Sequence, residues 1–196
     1  MRRARARRPG ALLALALVGA LAGCRQEALP VHGIGGDFRL TGHDGRPFDS
    51  ASLRGDVVLV FFGYSSCPDA CPTTLSKLAR ATARLEPGDR AHVKTLYVSV
   101  DPDRDTPAVL KTDLENFDLD ALGLTGTKAE IDRVVQLFGA SYTVVPLPDS
   151  AAKYSIMHTT LVYALDGQGR VRTWFPYEAT VDEIEAGLRR MLADRG

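Results

Sequence analysis

Val57-Val58-Leu59-Val60-Phe61-Phe62, followed closely by Cys67-Pro68-Asp69-Ala70-Cys71, is the stretch from which the rest of the chain can be read. Its first half is an unbroken β-branched and aromatic run, the composition of a strand covered on both faces, as in parallel sheets flanked by helices. After the cysteines, Leu75, Leu78, Ala79, Thr82 and Leu85 recur at helical spacing, and Glu86-Pro87-Gly88 supplies a stop. Cys67 and Cys71 therefore sit in a strand-to-helix loop entering a helix. The dipole and free N–H groups there favour an anion, which predicts at least one thiol with a lowered pKa. Four-residue spacing brings both sulfurs to one side, so disulfide closure and metal chelation are both open to them.

Upstream, Phe38 to Thr41 and Pro47 to Ser50 flank the turn His43-Asp44-Gly45-Arg46 and predict an N-terminal β-hairpin. Downstream, His92 to Val100 reads as a second core strand, ending in Asp101-Pro102-Asp103-Arg104-Asp105-Thr106-Pro107. Thr106 can cap, and Pro107 can open, a helix to about Phe117. The acidic loop lacks the spacing of a calcium loop and reads as helix capping and partner docking. Thr127 to Glu130 is a capping-box pattern before Ile131, Val134, Val135 and Phe138. A strand at Tyr142 to Val145, a polar loop, strands at Thr159 to Leu165 and Val171 to Phe175, and a helix capped at Thr180 complete the chain. This order predicts an α/β fold of the thioredoxin type, a central sheet flanked by helices, with the cysteines where that fold carries its active site.

Ahead of all this, Arg2, Arg3, Arg5, Arg7 and Arg8 precede the apolar run Ala11 to Gly23, the pattern of a secretory leader. The run ends Leu21-Ala22-Gly23-Cys24, which resembles a bacterial lipobox. Residues 1–23 are thus expected to be a lipoprotein signal, Cys24 the lipidated residue, 24–35 a linker and 36–196 the folded domain. Without the leader, 19 basic residues face 24 acidic ones. That deficit excludes a sequence-independent nucleic-acid binder, whose affinity comes from neutralising phosphates. No second apolar stretch approaches the roughly 20 residues of a membrane helix. The expected location is the periplasmic or extracytoplasmic face of a membrane, held there by the anchor.

With Cys24 assigned, the pair must be explained on its own. A structural disulfide closing so short a loop stabilises little. A structural zinc site wants four ligands, and no second Cys pair exists. Redox exchange and copper binding remain, because soft thiolates select Cu(I) and a low-pKa pair also exchanges disulfides.

Three segments in order, Phe61 to Leu75, Val98 to Pro107 and Tyr154-Ser155-Ile156-Met157-His158-Thr159, resemble the Sco/SenC family, with the likeness running from about residue 34 to the C-terminus. The resemblance implies a thioredoxin-like domain in which Cys67, Cys71 and His158 bind copper, as Cu(I) and Cu(II). It implies service in assembling the dinuclear copper centre of cytochrome c oxidase subunit II, with another periplasmic copper carrier or a thiol reductant as further partners. Two positions depart from the family pattern: Ser66 replaces a frequent His, and Met157 replaces a frequent acid before the distal His. Neither removes a ligand, but loss of the acid alters how the imidazole is oriented. His32, His43 and His92 read as surface or structural residues, and Met157, next to His158 in an extended segment, points to the opposite face. Two functions follow: a tethered copper chaperone using Cys67, Cys71 and His158, or a thiol–disulfide oxidoreductase or redox sensor in which Cys67 attacks and Cys71 resolves.

Overall fold

The computed structural model describes residues 28–194; the expected leader and Cys24 lie outside the described residues. Strands β1 (Arg39–Gly42) and β2 (Pro47–Asp49) form the N-terminal hairpin, and β3 (Val57–Gly63) leads into helix α1 (Ala70–Ala83). A one-turn helix α2 (Pro87–Arg90), β4 (Val93–Ser99), α3 (Pro107–Leu114), β5 (Ala121–Thr125) and α4 (Lys128–Leu137) follow. The chain closes with β6 (Tyr142–Pro146), β7 (Tyr154–His158), β8 (Val162–Leu165), β9 (Val171–Phe175) and α5 (Val181–Ala193).

Seven strands make one sheet in the order β2-β1-β5-β4-β3-β8-β9. β3 runs parallel to β4 and antiparallel to β8, and β4 runs parallel to β5. All seven residues of β3 are buried. Val57, Leu59 and Phe61 pack with α1, α3 and α5 on one face, while Val58, Val60 and Phe62 pack with α4 and the hairpin on the other. This is the thioredoxin-like sandwich that the unbroken apolar run demands, since a strand covered on both faces has no polar side to offer. Thr106 caps α3 with Pro107 at the first helical position, and Thr127 with Glu130 and Thr180 with Glu183 form full capping boxes on α4 and α5.

Four local expectations are corrected. Glu86-Pro87-Gly88 does not simply stop the chain: Pro87, with its preset φ, opens the single turn of α2. α3 ends at Leu114 rather than near Phe117, because Ala121–Thr125 forms an unexpected strand, β5, parallel to β4. The stretch between Val145 and Thr159 is not wholly a polar loop, since Tyr154–His158 pairs with β6 in a separate two-stranded sheet. β8 accordingly begins at Val162, three residues later than expected.

The segment leading in from the N-terminus is tied down. His32 N donates to Val171 O at 2.9 Å, and Arg172 Nε donates to Leu29 O and Pro30 O at 3.0 and 3.1 Å. Arg172 is itself buried against Asp166, 3.0 Å away. Among the described residues no helix is long and apolar enough to cross a membrane.

Leu78, on α1, is fully buried in the core that α1 shares with β3 and α5. Leu78→Ala should lower stability by about 2–5 kcal/mol, the range for truncating a buried leucine. Urea unfolding should show this as a lower midpoint with an unchanged slope.

Candidate metal centre

β3 delivers the chain to one end of the sheet, and Tyr64 to Asp69 make the loop into α1. Cys67 N donates to Tyr64 O at 3.1 Å, tightening the loop so that the sulfur faces the helix start. Cys71 lies in the first turn of α1, where backbone N–H groups have no helical partner. Its own N–H points at Cys67 Sγ, 3.4 Å away. Both cysteines are free thiols, Cys67 half-buried and Cys71 buried.

His158 arrives from the last residue of β7. Its Nε2 lies 3.6 Å from Cys71 Sγ, and one ligand atom from each of the three residues falls within 4.8 Å of the others. Nδ1 lies 3.0 Å from Thr159 O, so Nδ1 carries the proton and Nε2 keeps its lone pair towards the sulfurs, a tautomer assigned from the hydrogen bond. Phe61 and Tyr64 meet the imidazole edge-on at 6.1 and 5.9 Å. A backbone carbonyl thus does the orienting of the imidazole that was expected of an acid at position 157. Met157 is 66% exposed and points away, as strand alternation requires.

The two thiols are not equivalent. The hydrogen bond from Cys71 holds Cys67 well below the usual thiol range, against the opposing effect of burial; the backbone N–H groups of Asp69 and Cys71 add to the lowering. Donating that bond, then burial, then the charge on Cys67 all push Cys71 up. The metal-free pair therefore holds one thiolate, on Cys67, and one thiol, on Cys71.

In the Asp101 to Pro107 loop Thr106 does the capping, as expected, and two of the acids, Asp101 and Asp105, are buried braces. Asp105 accepts from Ser65 N at 3.0 Å, Ser65 Oγ at 2.5 Å and Ser99 Oγ at 2.6 Å, pinning the start of the cysteine loop to the end of β4. Asp101 accepts from Tyr154 Oη at 2.8 Å and from Arg104 Nε. The Arg104 guanidinium lies 3.7 Å from the centre of the Tyr154 ring, and its Nη1 donates to Ala152 O and Tyr154 O at 3.1 and 3.2 Å. Ile156 N donates to Tyr64 Oη at 3.3 Å. The hairpin carrying His158 is thereby clasped to the loops carrying the cysteines.

Sequence reading missed Asp101, Arg104, Asp105 and Tyr154 as parts of the site. The signal for Asp101, Arg104 and Asp105 was four charged residues crowded into a loop with two prolines, more charge than a cap needs; Tyr154 had no comparable local signal. The other histidines stand apart: His43 Nδ1 accepts from Gly123 N at 3.2 Å, His92 pairs with Asp56 at 2.9 Å, and His32 stacks on Trp174 at 4.5 Å.

Residues 26–193 match the family SCO1/SenC. The chain belongs to that family. It is 35% identical over 156 residues to a SCO2-like protein of Rickettsia felis, covering 80% of this chain and 76% of the relative. Among solved structures it is similar to Bradyrhizobium japonicum ScoI with copper bound, at 39% identity and a TM-score of 0.73, covering 81% of this chain and 99% of that one. Yeast Sco1 with copper bound is similar at 28% identity and a TM-score of 0.73, over 83% and 88% of the two chains. In this SCO1/SenC chain the three residues singled out from sequence, Cys67, Cys71 and His158, come together as one cluster.

At about pH 6, well below the ordinary thiol value, iodoacetamide should modify Cys67 and spare Cys71, as read by peptide mass spectrometry of the reduced protein. Cys71→Ala removes the donor and should slow modification of Cys67 at that pH. Equal labelling of both cysteines would contradict the assignment.

Proposed function

We propose that this chain is a membrane-tethered copper carrier, with Cys67, Cys71 and His158 as ligands, serving the dinuclear copper site of cytochrome c oxidase subunit II. The observation that carries the reading is the ligand cluster itself: two sulfurs and one imidazole nitrogen within 4.8 Å. Its donor set fits copper, since thiolates suit Cu(I) and an added imidazole suits Cu(II). A structural zinc site would want a fourth ligand, and the cluster offers three. Three ligands on a half-buried rim leave a place for an acceptor's ligand to enter before a donor's ligand leaves. The oxidase target rests on the family resemblance.

A second reading, thiol–disulfide exchange, is favoured by the inequality of the two thiols. Cys67, the accessible thiolate, would attack a partner disulfide and release one partner thiolate. Cys71, giving up its proton, would then attack Cys67 Sγ, leaving a Cys67–Cys71 disulfide and a partner dithiol that has gained two electrons. A thiol reductant would restore the pair.

His158→Ala separates the two. Copper binding needs the imidazole, whereas exchange needs only the sulfurs. Cu(II) affinity and the Cu(II)–thiolate absorption should fall by more than about 100-fold, beyond the loss typical of an outer-shell change, while Cu(I) is partly retained and the disulfide still exchanges. Unchanged Cu(II) spectra with normal oxidase assembly in cells would return the lead to thiol exchange.

The tether is read from the leader, with Cys24 as the anchor on the extracytoplasmic face. Cys24→Ala should move the protein from the membrane fraction to the soluble one. A variant that still pellets with membranes, with no mass change beyond the substitution, would refute the anchor.

A further inference from the structure

One polar group beside the sulfurs has no role in the account above. Tyr97, in β4, is fully buried with its ring 5.9 Å from that of Phe61. Its hydroxyl is one of the buried side-chain atoms without a hydrogen-bond partner, a state native proteins avoid unless function explains it. Gly63 shows where the hydroxyl is aimed. A Cβ at residue 63 would lie 2.8 Å from Tyr97 Oη and 2.8 Å from Cys71 Sγ. Phenol oxygen and thiol sulfur border the same small space, which exists because residue 63 has no side chain.

In the metal-free pair Cys71 is a thiol, a weak acceptor, and its proton is turned towards Cys67. Metal binding requires both sulfurs as thiolates. Cys71 then becomes a buried anion, and a phenol at neutral pH still carries a proton to give.

Resting on the copper reading, we propose that Tyr97 Oη–H donates to the Cys71 thiolate of the loaded site and biases that site towards Cu(I) over Cu(II). A hydrogen bond to a ligating sulfur withdraws electron density from it, and the more oxidised ion loses more by this. Tyr97 is thus a positioning residue, acting on copper through Cys71.

Tyr97→Phe tests this, because it deletes one oxygen and keeps the ring against Phe61. The ratio of Cu(I) to Cu(II) affinity, each ion measured by competition with a chelator of known affinity, should fall about 10-fold, at the low end for an outer-shell partner. The Cu(II)–thiolate charge-transfer band should move to lower energy. The thermal midpoint should hold or rise, since a buried unpaired hydroxyl is gone. A variant that matches wild type in the ratio of Cu(I) to Cu(II) affinity and in band position overturns the proposal and leaves the copper reading standing. A wild type that binds neither ion overturns both. Should the variant fail to fold, a fluorinated tyrosine placed at residue 97 alone decides, being a stronger phenol donor of nearly the same shape: a Cu(II)–thiolate band moved to higher energy supports the donor, and an unmoved one overturns it.

Discussion

Everything in this molecule hangs on β3 being buried on both faces. Its side chains alternate between two cores, and its backbone is hydrogen-bonded on both edges, to β4 and to β8. Such a strand can neither slide nor rotate without emptying one core into water, and a one-residue slip would exchange its faces. Its carboxyl end is therefore a fixed point. The cysteine loop starts from that point, α1 takes its N-terminus from it, and Phe61, the residue that meets both Tyr97 and His158, belongs to it.

Around that fixed point the site is assembled by buried polar groups rather than by apolar packing alone. Asp105 holds the root of the cysteine loop, and Asp101 with Arg104 holds the hairpin that ends in His158. Both come from the loop after β4, so one seven-residue segment sets the distance between sulfurs and imidazole. A charged brace of this kind is costly to break, because removing one partner strands the other without water.

The parts legible in sequence were those with a local signature. The two-faced strand announced itself by an unbroken apolar run, three helices by Thr caps, and the cysteines by their spacing after the strand. β5 was not legible, because Ala121-Leu122-Gly123-Leu124-Thr125 has almost no β-branched or aromatic content and is a strand by virtue of the neighbours that pair with it. β7 was hidden although it holds Tyr154 and Ile156, because the connection from β6, Leu147-Pro148-Asp149-Ser150-Ala151-Ala152-Lys153, is longer than a tight hairpin turn and carries none of its signals. The proximity of His158 to the cysteines came from the family resemblance. Nothing in the spacing of the chain alone places a residue 87 positions away from Cys71 at 3.6 Å from its sulfur. The roles of Asp101, Asp105 and Tyr97 likewise depend on contacts between distant segments, which no local pattern encodes.

That separation gives the nitrogen ligand a second meaning. The two thiols are neighbours in any state of the chain, folded or not, whereas the imidazole joins them only after β3, β4 and the β6–β7 hairpin have all found their places. Closing a loop of that length costs chain entropy that only the finished tertiary contacts repay. An incompletely folded chain is therefore a bare dithiol, reactive and unselective, and the arrival of His158 marks the completion of folding.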